Sequence, residues 1–356
     1  MDFLPLVIMV VLVLGIVLAL VLRDGGGASE PSTNSRPLYD DTGAGYFNTA
    51  CVIYDYSGMS EGEFDTICAL VEAETIKYHR LFDIYNSYSG IVNLHDINLS
   101  AGGEAVTVSR ELFDFLAFCK SMYALTLGEC NIAMGAVLEL WHDCREEASY
   151  NGGYGETPDE ALLSVAMKHT KMSDLVLSEK DSTVKLLDSE MSLDVGAIGK
   201  GYAVEKIAER LEGLGLSGIV LDFGGNLKLI GEKPSGKGWN IGIKDPMDTS
   251  SYIRKFEFKA TSVVTSGDYE RYYISGGKRY HHIIDGKTGY PAKGLSSVSV
   301  ITKNSGLADA LSTALFCVGS AQGAMDMLDD IRANIGADIK AVFVSNDGTV
   351  TEYNFK

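Results

Sequence analysis

Eight residues, Asp194-Val-Gly-Ala-Ile-Gly-Lys-Gly201, hold three glycines, a carboxylate and a lysine directly before a helical pattern. Glycine lets a backbone turn sharply and come close to a ligand. A helix N-terminus behind it offers unpaired N–H groups at the positive end of a dipole, which suits a phosphate. The same stretch also suits a strand–helix turn that needs glycine for its geometry alone. It is not a Walker A loop, because Asp194 stands where the first glycine is required and Gly201 where Ser or Thr is required; nor is it a dinucleotide fingerprint.

Further along, Ser305-Gly-Leu-Ala-Asp-Ala-Leu-Ser-Thr313 opens a helix on which Asp309 and Thr313 lie four apart and share a face. A carboxylate with a hydroxyl is hard-oxygen ligation suited to Mg²⁺. The bland alternative is an acid placed near a helix start for its dipole. Lys278-Arg-Tyr-His-His-Ile-Ile-Asp285-Gly-Lys-Thr-Gly-Tyr-Pro291 reads as a strand running into a tight turn. Strand alternation sends His281 and His282 to opposite faces, so one of them at most faces a site, where it would act as a base near neutral pH. The alternatives are structural: a surface or packing histidine, and Asp285 as an Asx-turn residue before Gly286. Thr265-Ser-Gly-Asp-Tyr-Glu-Arg-Tyr-Tyr273 and Leu221-Asp-Phe-Gly-Gly-Asn226 are two more polar, glycine-bearing strand ends, and several such turns build a cleft from loop tips.

Those residues need elements to hold them. The apolar spacing predicts a strand over 49–56, helices over 60–85, 109–126 and 132–147, and a capping box at Thr157-Pro-Asp-Glu160 that starts another helix. Short strands follow near 174–178, 183–188, 218–222, 226–230, 239–244, 262–266, 270–275, 278–284 and 296–302. Helices over 200–213, 306–317 and 321–330 and a final strand pair at 340–345 and 349–353 complete the pattern, with Asp194 expected to end a strand. Strands and helices do not alternate regularly, so the class is α+β and the helical first half shares one core with the strand-rich second half.

The chain has 356 residues, 46% of them hydrophobic, and a formal net charge of −18. A nucleic-acid partner is not expected, because phosphate neutralisation needs a basic surface. The six cysteines (51, 68, 119, 130, 144 and 317) show no zinc-ligand spacing and read as small core residues without disulfides. Phe3–Leu22 is an uncharged, Leu/Val/Ile-rich run long enough to cross a hydrocarbon core. Residues 1–23 are therefore expected to be an uncleaved single-span anchor, 24–42 a Gly/Ser/Pro-rich tether and 43–356 one domain. The lone cation beside the run, Arg23, by itself favours a cytoplasmic C-terminal side.

Five segments in order, DVGAIGKGYAVEKIAERL, LDFGGNLKLIGEKPSGKGWNIGIKDP, TSGDYERYY, KRYHHIIDGKTGYP and LADALSTALFCVG, resemble the motifs of the ApbE-type FAD:protein FMN transferases. The resemblance runs from about Tyr46 to the C-terminus. It implies a T-fold-related α+β domain that cleaves the FAD pyrophosphate with Mg²⁺, attaches FMN to a threonine of an acceptor protein and releases AMP. Carried over by position, Asp309, Thr313 and the carbonyl of Ala197 would hold the metal, and Asp194 and Lys200 would contact FAD. His282 would deprotonate the acceptor threonine and Asp285 would support its turn. Ser266, Gly267, Asp268 and Ile283 would line the flavin side, with Phe47 and Asn131 at two further FAD positions. There the sequence reads Phe47-Asn48-Thr49 where the family has Met-Gly-Thr, and Asn131-Ile132-Ala133 where it has Asp-x-Thr. The family's lipoprotein cysteine is missing, so Phe3–Leu22 would replace that anchor, with the domain outside the cytoplasmic membrane. A Mg²⁺-dependent FAD pyrophosphatase yielding FMN and AMP, and a flavin-binding carrier without catalysis, are the alternatives.

Overall fold

The computed structural model describes residues 34–40, 43 and 45–355. The expected membrane helix lies outside them, and among the described residues no helix is long and apolar enough to cross a membrane. Strand β1 (Asn34–Leu38) falls inside the stretch read as a tether and pairs antiparallel with β2 (Cys51–Asp55). Its Pro37 lacks an N–H, and an edge strand is where a sheet tolerates that. Helix α1 (Glu61–Phe82) starts at a reciprocal Ser60–Glu63 capping box. Helix α2 (Leu94–Leu99) and the two-residue β3 (Val106–Thr107) are short elements the periodicity does not signal.

Helix α3 (Arg110–Leu125) follows, and the expected 132–147 helix is a 3₁₀ turn at Ile132–Met134 running into α4 (Gly135–Tyr150). Helix α5 (Glu160–Ala166) is capped by Asp159, whose carboxylate accepts the Ala161 and Leu162 amides, and not by Thr157. A carboxylate two residues downstream is the better N-cap, so the helix starts later than the Ser/Thr pattern suggests. Strands β4 (Leu175–Ser178) and β5 (Thr183–Leu186) form a small sheet with β3. Asp194 ends no strand: it lies in the irregular segment between Leu186 and α6 (Gly199–Gly213).

The second half supplies β6 (Ile219–Phe223), β7 (Asn226–Ile230), β8 (Trp239–Lys244), β9 (Tyr252–Phe258), β10 (Ser262–Gly267), β11 (Tyr272–Ser275), β12 (Lys278–His281) and β13 (Leu295–Thr302). Helices α7 (Ser305–Val318) and α8 (Ala321–Ile335) and strands β14 (Lys340–Ser345) and β15 (Val350–Tyr353) close the chain. Eight strands make one antiparallel sheet in the order β1-β2-β6-β7-β10-β13-β14-β15.

Every residue of β6, β7 and β13 is buried, because the sheet is covered on both faces. On one face Ile219, Leu221 and Phe223 pack with Val204, Ile207 and Leu211 of α6 and with α1. On the other, Val220, Leu227 and Val263 meet Trp239, Ile241 and Ile243 of the β8–β9 hairpin. Strands β6, β7 and β13 are buried although they include Asp222, Asn226, Lys228 and three serines, whereas β9, with its half-exposed pattern, is a strand that the sequence does not signal.

Candidate active site

The glycine-rich segment and α7 meet edge to edge. Gly201, in the first turn of α6, donates its N–H to Asp309 Oδ2 at 2.6 Å. This approach requires glycine: a Cβ there would lie 2.4 Å from Asp309 Cβ and 2.5 Å from the Ser305 carbonyl oxygen. One turn earlier, Thr313 Oγ1 comes within 3.5 Å of the Ala197 carbonyl oxygen and 3.3 Å of Ser266 Oγ. Ser266 in turn bonds Ser312 Oγ at 2.8 Å. Asp309, Thr313, Ala197 and Ser266 therefore share one oxygen-lined locus between α6, α7 and the end of β10.

Asp309 is 4% exposed, and its Oδ1 has no hydrogen-bond partner among the described residues. Burial raises its pKa above the ordinary carboxylate value, while the Lys200 cation and the Gly201 N–H pull the other way. A largely buried carboxylate whose second oxygen is left open can take a cation. Among the described residues no group of three His, Cys, Asp or Glu side chains is placed to hold a metal. The set here is one carboxylate, one hydroxyl and one carbonyl, all hard oxygens, and such a partial set fits Mg²⁺, which keeps waters and substrate oxygens in its remaining positions.

Lys200 reaches across to the β6–β7 turn and donates to the Gly224 carbonyl at 3.2 Å. That turn has Gly224 and Gly225 both at positive φ (56° and 82°), the two-residue hairpin geometry that favours glycine. A Cβ on Gly224 would also sit 1.6 Å from Thr49 Oγ1. Beside the turn, burial pushes the Asp222 carboxyl up to about 7, against the Gly225 N–H and the Lys200 and Lys244 cations. Its Oδ1 is buried without a partner. Burial also raises Glu270, which feels Lys244 and Lys200. Lys200 is thus a cation shared by Asp309, Asp222 and Glu270.

His282 follows the end of β12, and its Nδ1 lies 3.2 Å from the Arg271 carbonyl. A carbonyl only accepts, so Nδ1 carries the proton and Nε2 keeps the lone pair. Burial, then the Arg271 and Arg145 guanidinium groups, then His281 lower its pKa well below the ordinary histidine value. It is a neutral imidazole with its basic nitrogen unengaged among the described residues. His281 is spent structurally: Nε2 donates to the Ala292 carbonyl and Nδ1 accepts the Ile283 N–H.

Asp194 shares the surroundings of His282, since Arg145 and Arg271 both feel its charge, and its Oδ1 accepts the Gly196 N–H at 2.8 Å. The other expected positions are held by local structure. Asp285 accepts from Lys287 N and Thr288 Oγ1, a turn-building role. Asn131 accepts from Ala133 N and donates to the Thr170 carbonyl, capping the 3₁₀ turn before α4. Ile283 is a 5% exposed core residue. Phe47, at a φ of 55°, sets its ring edge-on to His79. Asp268 bonds the Ser296 carbonyl through its N–H and lies 3.6 Å from Arg279. Arg145 and Asp222 were missed by sequence reasoning. Arg145 lies one turn beyond Trp141 on α4, in a helix with many charges, and Asp222 sits in a motif already noted for its glycines.

The fold and site define an α+β domain in which an oxygen-lined locus lies between two antiparallel helices on one face of a sheet. The chain belongs to the ApbE family, which it matches over residues 49–337. It is 31% identical over 305 residues to an FAD:protein FMN transferase of Klebsiella pneumoniae, covering 83% of this chain and 90% of that one. An FAD:protein FMN transferase of Treponema pallidum is 35% identical over 236 residues, 63% of this chain and 64% of that protein. The crystal structure of the ApbE protein of Thermotoga maritima superposes with a TM-score of 0.75 at 29% identity, covering 90% of this chain and 97% of that one.

Proposed function

We propose that the protein transfers FMN from FAD to a threonine hydroxyl of an acceptor protein, with Mg²⁺ bound at Asp309, Thr313 and the Ala197 carbonyl. The observation that carries this reading is the convergence of the Gly201 N–H, Lys200 and the half-satisfied Asp309 carboxylate at one locus. The names of the 31% and 35% identical relatives support the reaction class. Bound Mg²⁺ supplies charge neutralisation and orientation to the pyrophosphate oxygens.

The protein's own groups do the rest. The Lys200 cation holds the pyrophosphate and fixes its orientation, since the Gly199 and Gly201 amides at the start of α6 are already bonded to the Val195 carbonyl and to Asp309. His282 Nε2 takes the hydroxyl proton from the acceptor threonine. The threonine Oγ–phosphorus bond forms at the FMN phosphate while its bond to the bridging oxygen of AMP breaks, and AMP leaves. Residues 1–23, with their uncharged run Phe3–Leu22, would anchor this domain outside the cytoplasmic membrane, within reach of membrane redox proteins and other extracytoplasmic acceptors.

The test is to incubate the full-length chain with FAD, Mg²⁺ and a threonine-bearing acceptor peptide, then measure peptide mass and free FMN. A mass gain of one FMN is expected. Free FMN with unmodified peptide makes the protein a pyrophosphatase; neither product makes it a carrier.

A further inference from the structure

Three contacts between α7 and α6 with the turn that leads into it form a ladder. Ala197 meets Thr313, Gly201 meets Asp309, and Glu205 meets Ser305, whose N–H bonds Glu205 Oε2 at 2.5 Å. Each step is four residues along one segment and four back along the other, and between the second and third rungs, where both are helical, that is about 6 Å of rise. The first two rungs carry the proposed metal ligands. The third carries none, yet it is the most heavily tied.

Lys228, on β7 and 4% exposed, donates to both Glu205 oxygens at 3.1 and 2.9 Å and to the Lys303 carbonyl at 2.7 Å. All three of its ammonium protons are used. Ser305 Oγ donates to Asn226 Oδ1 at 2.6 Å, and Ser262 Oγ donates to the same Lys303 carbonyl. The side chains of the ion pair are only 6% and 12% exposed. A buried ion pair is a poor source of stability and is often replaceable by apolar side chains of similar volume, but it can fix a unique register.

We propose that Glu205 and Lys228 are positioning residues which set the register of α6 against α7. They lock the third rung so that Gly201 meets Asp309 one step away and Ala197 meets Thr313 two steps away. The role in Mg²⁺ and FAD chemistry rests on the function proposed above; the register does not. The ion pair bonds Ser305 and Lys303 and none of the proposed ligands. It clamps the α7 N-terminus to the sheet through Lys303 and to α6 through Ser305, leaving the Gly201–Asp309 rung no freedom to slip.

The test uses the full-length chain with Glu205→Leu/Lys228→Met, which removes both charges together and leaves neither orphaned. Site-resolved hydrogen exchange reads the Gly201 amide, which neither substitution touches. Its exchange is expected to rise at least about tenfold, with amides of α8 unchanged. The Mg²⁺ concentration giving half of the metal-induced thermal shift is expected to rise at least about tenfold, while FAD affinity measured in EDTA stays within about twofold. If the double variant does not fold, Glu205→Gln, which keeps an acceptor for Ser305, is expected to speed Gly201 exchange about threefold. A folded variant of either kind with unchanged Gly201 exchange overturns the proposal. A wild type that shows this exchange pattern but makes neither flavinylated peptide nor FMN overturns the proposed function and leaves the register assignment standing.

Discussion

Replacing Gly201 by alanine adds one methyl group where the helices are closest. The new Cβ would lie 2.4 Å from Asp309 Cβ and 2.5 Å from the Ser305 carbonyl oxygen. Ordinary carbon contacts are about 3.5–4.0 Å, so α6 and α7 must part by on the order of 1 Å. The oxygen belongs to backbone inside a buried helix start and cannot swing aside. Overpacking of this kind costs about 1–3 kcal/mol, and alanine returns about 1 kcal/mol through better helix propensity. The net loss of about 0–2 kcal/mol lowers the melting temperature by no more than about 8 °C. Catalysis responds far more, because a displacement of about 1 Å in a reacting constellation costs on the order of 10²-fold. Initial rates of FMN transfer to an acceptor peptide at saturating FAD and Mg²⁺, measured beside a thermal melt, separate the two effects. Gly201→Ala protein that melts within this range and keeps kcat/KM within about threefold of wild type refutes the argument that this contact sets the site geometry.

His282→Ala is expected to lose transfer and keep FAD binding, as read by flavin fluorescence. Because the pKa of His282 lies well below the ordinary value, its base form is already complete near neutrality, so the transfer rate should be flat between about pH 6 and 8; a steep rise across that range argues for another base. Asp222 has its folded pKa raised to about 7 against an unfolded value of about 3.9. It therefore destabilises the wild type above pH 7, by on the order of 4 kcal/mol at most, and this penalty fades as pH falls from about 7 to 4. Asp222→Asn should be the more stable protein in denaturant at about pH 8 and lose that advantage near about pH 4, and an identical pH dependence of the two proteins sinks the assignment. Gly224→Ala places a Cβ on Thr49 at a φ of 56° and should lower stability by more than about 1 kcal/mol, whereas Gly224→Ala/Thr49→Ala should recover part of the loss in the same melt.

Much of the site could be read before the fold was known, for local reasons. Asp309 and Thr313 share a face because four residues make about one turn, and the structure keeps both at one locus with Ala197. The Gly224-Gly225 turn is written in its own two residues. What escaped depends on contacts between distant segments. Glu205 and Lys228 look like ordinary surface charges in a helix and a strand, and only the packing of α6 and α7 on β7 turns them inward. Strand β1 reads as tether because Asn, Ser and Pro dominate it, while the β2 edge that recruits it comes later in the chain. His282 was expected inside a strand running to residue 284; β12 stops at His281, and the ring is held instead by the Arg271 carbonyl.

The oxygen-lined locus joins Ala197 to Asp309 and Thr313, more than a hundred positions later in the chain. Helix α7 rests on β13, and β13 is completed by β14 near the C-terminus. During synthesis the N-terminal part emerges first. A growing chain thus displays the glycine-rich segment long before it owns the carboxylate opposite. No chain that stops short of α7 can assemble this site, so its two halves meet only after the strands between them have been made.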